Sequence, residues 1–194
     1  MENSFAYKAH YAEMVESVNK YNGFFVGRYE VTIDENNNIG SKYNTEVIKA
    51  NKIIPQTNNK ECRWHGLYYV ERNSNVVGNK DYVQTNMVWG QQWDKMLEYF
   101  DSKSLNYTEF GNSKNGKGVN SGQSINNNNE NDKIYNIYDL RTNYHDWTAE
   151  ALSNTYCSYR GGNYYSSYSA SYRYRVRPDT DTEDCSSRLT LYIK

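Results

Sequence analysis

The sequence predicts a single α+β domain with two main helices, short strands and extensive irregular loops, and three observations predict it. Its 194 residues suit one domain of ordinary size. Apolar side chains recur at steps of three and four in two clear segments, the mark of amphipathic helices. Elsewhere, aromatic and β-branched runs are short and are cut off by Asn, Asp, Gly and Pro, as strands between turns are.

In chain order, Tyr7, Tyr11, Met14, Val15, Val18 and Tyr21 fall on one stripe, so residues 6–21 predict a helix. Asn22-Gly23 ends it. The run from Phe24 to Ile33 predicts one strand, closed by a polar turn at 34–38, and residues 46–54 predict another. After Pro55, Trp64, Leu67, Tyr68 and Glu71 suit a short helix, although the pattern over 62–72 fits no single period. Trp89, Trp93, Met96, Leu97 and Phe100 predict the second main helix. Residues 111–131, rich in Gly, Ser, Lys and Asn, predict a flexible loop longer than compact domains use without internal structure. Short strand-like pieces follow at 137–138, 159–160, 171–177 and 188–193, each bounded by turn residues, and no internal repeat is present.

Composition narrows the function classes. With 22 Lys+Arg against 23 Asp+Glu the net charge is −1, so no bulk field favours a nucleic acid or an anionic membrane. The mean hydropathy is −1.00, yet 15% of residues are aromatic and 21 are Tyr, so the polarity reflects an Asn/Tyr bias and not disorder. No run approaches the roughly 18 apolar residues of a membrane span, and residues 1–20 lack the basic start and apolar block of a signal peptide. A soluble chain is expected, with surface display left open if the native chain extends beyond Met1. Cys62, Cys157 and Cys185 are an odd set without a CxxC pair, which speaks against a zinc site and against a disulfide scaffold. His10 lies on the polar side of the first helix, and His65, three residues after Cys62, lacks further ligands. Gly111 with Gly116-Lys117-Gly118 has the outline of a phosphate loop, but Gly118 stands where Ser or Thr would hold magnesium.

Five blocks, in order, carry a family resemblance. The run Asn136-Ile137-Tyr138-Asp139-Leu140-Arg141-Thr142-Asn143-Tyr144-His145-Asp146-Trp147-Thr148 resembles a block of the formylglycine-generating enzyme, or sulfatase-modifying-factor, family. Phe24 to Thr32 looks like its early strand, Trp89 to Asp94 sits where the family has a helix, Arg160-Gly161-Gly162-Asn163-Tyr164 looks like its Gly-Gly turn, and Ser187-Arg188-Leu189 with Leu191 stands in for its closing strand. The resemblance runs from about residue 23 to the end, dense after 134 and thin between 35 and 85. It implies a C-type-lectin-like fold with a small twisted antiparallel β-core over residues 1–194.

Enzyme members of that family oxidise a substrate cysteine to formylglycine with two cysteines that hold copper. Tyr172-Arg173-Tyr174-Arg175 is similar to a stretch of the animal enzymes and sets a register in which Ser166 and Ser171 occupy those two positions. Hydroxyls neither bind Cu(I) nor exchange disulfides, so a catalytic role is not expected. Thr142 replaces the block's Gly and His145 its first Trp, which leaves the tight turn and the Trp packing open. The family also wraps calcium at this block, which implies a calcium site at Asp139 and Asp146 with carbonyl groups of Thr142 and Tyr144; two solvated carboxylates near a turn are the alternative.

Many lectin-fold members are binding proteins whose C-terminal residues are diversified by a retroelement that mutates adenines, and residues 156–187 resemble such a variable region from clostridia and gut phages. The expected ligand contacts are Asn163, Tyr165, Ser166, Ser167, Tyr168, Tyr174, Arg175, Arg177, Asp179, Asp181, Thr182, Glu183 and Asp184. Tyr supplies large, stiff amphipathic area and Ser adaptable hydrogen bonding, which is what a recognition surface needs. A general Tyr/Asn bias of an AT-rich genome is the alternative source of the pattern. The resulting expectation is a non-catalytic binding protein for an unidentified protein or cell-surface ligand, with no nucleic acid, no membrane insertion and no required cofactor, in the cytoplasm or on a phage particle. A copper oxidase acting on protein cysteine is the alternative, and a structural phage-tail or virion component a third.

Overall fold

The computed structural model describes residues 4–76, 80–103, 133–166 and 168–194, so the predicted loop at 111–131, the Gly111 to Gly118 outline and Ser167 lie outside the described residues. Helix α1 (Ser4–Tyr21) follows the predicted stripe: Met14 is buried, Tyr7, Tyr11, Val15 and Val18 pack half-buried on the core, and Tyr21 stays exposed.

The expected strand over 24–33 is corrected to two short ones, β1 (Phe25–Val26) and β2 (Thr32–Ile33), which belong to different sheets. Between them the chain is held by the C-terminal segment: Gly27 donates its N–H to the carbonyl of Leu189 at 2.7 Å and Val31 to that of Ser187 at 2.8 Å. Strand β2 is the centre of a small sheet with β3 (Ile39–Gly40) and β4 (Glu46–Val47). The turn at 34–38 forms because the Asp34 carboxylate accepts the N–H groups of Asn36 at 3.0 Å and Asn38 at 2.8 Å, and Asn37 takes a left-handed φ of 62°. Only β4 survives of the strand expected over 46–54; beyond it, Ile48 bonds to Val31 and Ala50 to Cys185.

A 3-10 turn (Pro55–Thr57) leads to α2 (Arg63–Arg72), which resolves the ambiguous segment as a helix burying Trp64, Leu67, Val70 and Glu71. Strand β5 (Val83–Met87) was not expected, because its Val-Gln-Thr-Asn-Met sequence carries no clean alternation. Helix α3 (Gly90–Ser102) has the predicted face, with Trp93, Met96, Leu97 and Phe100 buried. The described residues therefore hold three helices rather than two main ones.

The remaining strands are β6 (Lys133–Ile134), β7 (Ile137–Tyr138), β8 (His145–Ala151), β9 (Cys157–Arg160), β10 (Arg173–Val176), β11 (Cys185–Ser187) and β12 (Leu189–Ile193). One three-stranded sheet has the order β1-β12-β5, and a four-stranded sheet the order β10-β9-β8-β11. Pairing is antiparallel with one correction, since β11 runs parallel to β8 with Cys185 opposite His145 and Ser187 opposite Trp147. The main core lies between the two sheets, α1 and α2 and contains Ile48, Leu67, Met87, Trp89, Trp147 and Tyr192; a second cluster under α3 joins Trp93 and Phe100 to Leu140 and Ala170. Among the described residues no helix is long and apolar enough to cross a membrane.

Candidate functional site

The site is built on the close approach of two main-chain segments. The bend before β8 places Asp139 at φ 62° and Asn143 at φ 63°, and the turn after β9 places Gly161 at φ 76°. A Cβ at Gly161 would lie 2.4 Å from the Leu140 carbonyl oxygen, and one at Gly162 would lie 2.0 Å from that of Arg141. Only glycine lets the two segments touch. Thr142, in the place of a glycine, makes no left-handed turn itself; Asp139 and Asn143 on either side do, and the Thr142 hydroxyl donates to Asp139 at 3.3 Å. His145 packs as an aromatic where a Trp was in question: it stacks on Tyr159 with ring centroids 4.3 Å apart. Its Nδ1 lies 2.9 Å from the Gly161 carbonyl oxygen, which can only accept, so Nδ1 carries the proton; burial lowers the ring's pKa against the opposing pull of that bond and of Asp184.

Above this base stands a tyrosine cluster. Tyr174 on β10 faces Tyr159 on β9 in register, Tyr172 stacks on Tyr168 at 3.9 Å with planes 5° apart, and Tyr174 lies near-parallel to Tyr172. Tyr165, Tyr168 and Tyr174 are 60%, 43% and 50% exposed, as expected of ligand contacts. Tyr172 is corrected from core to half-buried, because it forms the middle of that stack, whereas Leu189 is buried as expected. Asn163 is also corrected: it is buried, its Oδ1 accepts the N–H groups of Tyr165 and Ser166 at 3.1 and 2.9 Å and the Ser166 hydroxyl at 2.6 Å, and its Nδ2 donates to Asp184 at 2.8 Å. It shapes the loop and does not face outward.

The charged contacts are spread around the cluster. Arg175 is exposed with its guanidinium 5.4 Å from the Tyr156 ring centroid, Arg177 makes two bonds to Asp179 at 3.1 and 3.0 Å, and Glu183 accepts from the Tyr165 hydroxyl at 3.1 Å. Asp181 is exposed, and Ser166, Thr182 and Asp184 are half-buried. The structure thus brings Tyr165, Ser166 and Asp184 together through Asn163, with Glu183 joined through the Tyr165 hydroxyl, and groups Tyr168 with Tyr174 through Tyr172. Tyr159 and Tyr172 complete the cluster without having been expected in it; the i, i+2 spacing of Tyr172 and Tyr174 was the available signal.

A buried ionic cluster underlies the bend. Arg188, fully buried, donates to Asp146 Oδ2 at 3.2 and 3.3 Å and to the carbonyls of Gly27, Arg28 and Tyr138. Glu30 and Glu71 are buried too; burial, and then the neighbouring carboxylates Asp146 and Asp139, push the Glu30 pKa well up, and burial does the same to Glu71. Asp146 is raised to about 6 by burial against the opposing pull of Arg188. Its Oδ1 is buried without a hydrogen-bond partner. Among the described residues no three His, Cys, Asp or Glu side chains converge as a metal centre. The expected calcium donors Asp139, Thr142, Tyr144 and Asp146 therefore offer two carboxylates, both buried rather than solvated. Cys62, Cys157 and Cys185 are free and buried, and burial raises the first two thiols to about 12 and Cys185 well above its ordinary value.

No protein-family model and no curated protein sequence matches this chain. A solved structure described as the crystal structure of CarF aligns with a TM-score of 0.40 and 14% identity, over 57% of this chain and 48% of that one. The chain spans about half the length of CarF, and a likeness this slight carries no argument about what the chain does.

Proposed function

We propose that this chain is a non-catalytic binding protein on a C-type-lectin-like scaffold, with residues 156–187 presenting its recognition surface to a protein or cell-surface ligand. One observation carries the reading: Tyr165, Tyr168 and Tyr174 project from main chain held from below by buried groups, among them the Gly161 and Gly162 contact and Asn163. Exposed, stiff aromatic side chains on a fixed frame are how paratopes gain contact area without a large entropic cost. Non-catalysis is supported by Ser166 and Ser171 at the positions that resemble copper ligands, and by three buried thiols too weakly acidic to supply thiolate at neutral pH. A calcium ion at the bend is part of the proposal: Asp139 and Asp146 would hold it with the carbonyls of Thr142 and Tyr144, and the unpartnered, buried Asp146 Oδ1 favours it.

The test is a displayed library with Tyr165, Tyr168, Tyr174 and Arg175 randomised, selected against a purified protein such as lysozyme. Folded clones that bind saturably are expected; a library yielding only unfolded or non-binding clones overturns the reading. No conversion of a sulfatase-type cysteine peptide is expected with copper and oxygen supplied, and measurable turnover would return the oxidase alternative. A reverse transcriptase gene and a near-copy of the codons for 156–187 in the neighbouring DNA are expected if a retroelement varies the region.

A further inference from the structure

The tyrosine-bearing loop is held by a group far from it in sequence. Glu30, fully buried at the entrance to β2, accepts the Tyr144 N–H at 3.0 Å on one carboxylate oxygen and the Asn143 side-chain amide on the other. Asn143, at φ 63°, in turn turns its carbonyl to the Tyr164 N–H at 3.0 Å, and the Tyr144 ring meets Tyr164 edge-on with centroids 5.8 Å apart. Tyr164 packs on Tyr165 at 4.0 Å. Three links thus run from a carboxylate under the sheet to an exposed aromatic side chain.

We propose that Glu30, clamped on Asn143 and Tyr144, is the positioning residue of the 163–166 loop, fixing its main chain from outside the variable region so that exposed side chains can change while the loop keeps its shape. This deepens the binding proposal by naming what orients its surface, and it rests on that proposal only for its functional meaning. A carboxyl group suits the role in either protonation state, because one oxygen accepts the Tyr144 N–H and the other bonds the Asn143 side-chain amide, whose own oxygen and nitrogen can exchange places, in a site where an unpaired donor would be costly.

Amide hydrogen exchange without any ligand tests it, so its failure is separable from failure of the binding reading. In Glu30→Ala, the amides of Tyr164, Tyr165 and Ser166 should exchange about ten-fold faster while those of β12 stay within about two-fold. Glu30→Gln should restore protection, since Asn143 can turn its amide over and offer its oxygen to the new amide group. Asn143→Gly keeps the left-handed backbone and removes the side-chain half of the clamp; it should loosen the same three amides, and it decides the matter if Glu30→Ala does not fold. Unchanged exchange at Tyr164 to Ser166, or faster exchange spread evenly over all sheets, overturns the proposal.

Discussion

At the scale of single residues, the two glycines after β9 and the arginine before β12 hold the site together. Gly162→Ala would drive a methyl group into the Arg141 carbonyl, so the bend and the turn must part; a loss of about 2–4 kcal/mol is expected in urea unfolding, and a loss under about 1 kcal/mol would show that the contact yields easily. Arg188→Met removes the only cation bonded to Asp146 among the described residues and strips a donor from the carbonyls of Gly27, Arg28 and Tyr138, at an expected cost of about 3–5 kcal/mol. Adding Asp146→Leu to it should recover part of that loss, because the uncompensated charge goes as well. Strict additivity of the two changes would mean that the ion pair is not what couples them. Arg188 was legible only as a motif position; nothing in a sequence shows that a guanidinium reaches the carbonyls of Gly27, Arg28 and Tyr138 from segments so distant along the chain.

At the scale of elements, the hairpin β9–β10 and its loops should separate stability from recognition. Replacing Tyr165, Tyr168 and Tyr174 by Ala should cost within about 1 kcal/mol per site, as exposed changes do, while removing binding to any partner found, since aromatic anchors dominate interfaces. A large loss of stability at Tyr168 would instead give the stack on Tyr172 a structural role. Helices α1 and α3 were legible because an amphipathic period survives whatever packs against it. Strands β1, β2, β4 and β5 were blurred or missed because two- to five-residue strands carry too few alternations, and because residues 24–33 pass between sheets with bonds to Ser187 and Leu189. The exposed tyrosines could be read from residue type, but the burial of Asn163 could not: the same amide serves a ligand or its own loop, and only the fold shows it bonded to Tyr165, Ser166 and Asp184.

At the scale of the whole molecule, the buried acids give an unusual pH dependence. Glu30, Glu71 and Asp146 are raised in the folded state, Asp146 to about 6, so these three groups bind more protons in the folded than in the unfolded chain above about pH 4, while His10, His65 and His145, lowered by burial, pull the other way below about pH 6.5. The contribution of the three acids is complete below about pH 4 and is lost as pH rises through 6 and beyond, with Arg188 the cation that opposes the trend. In chelator, Asp146→Asn should therefore shift the balance of melting temperature between pH 5 and pH 8 toward the higher pH relative to the unchanged chain, and an identical pH profile would contradict it. Calcium, which favours the ionised carboxylates, should raise the melting temperature more at pH 8 than at pH 5; no response at either pH leaves the bend to protons and Arg188 alone. The position of β12 has a different consequence, for synthesis. It is the middle strand between β1 and β5, yet it is also the last segment of the chain described. The sheet cannot close until the ribosome has released residues 189–193, and every codon of 156–187 is translated before them. A frameshift or stop within that stretch leaves β1 and β5 without their common neighbour and the core open, so such products should go to proteolysis, and the copies that persist in a cell should be those read in frame through Ile193.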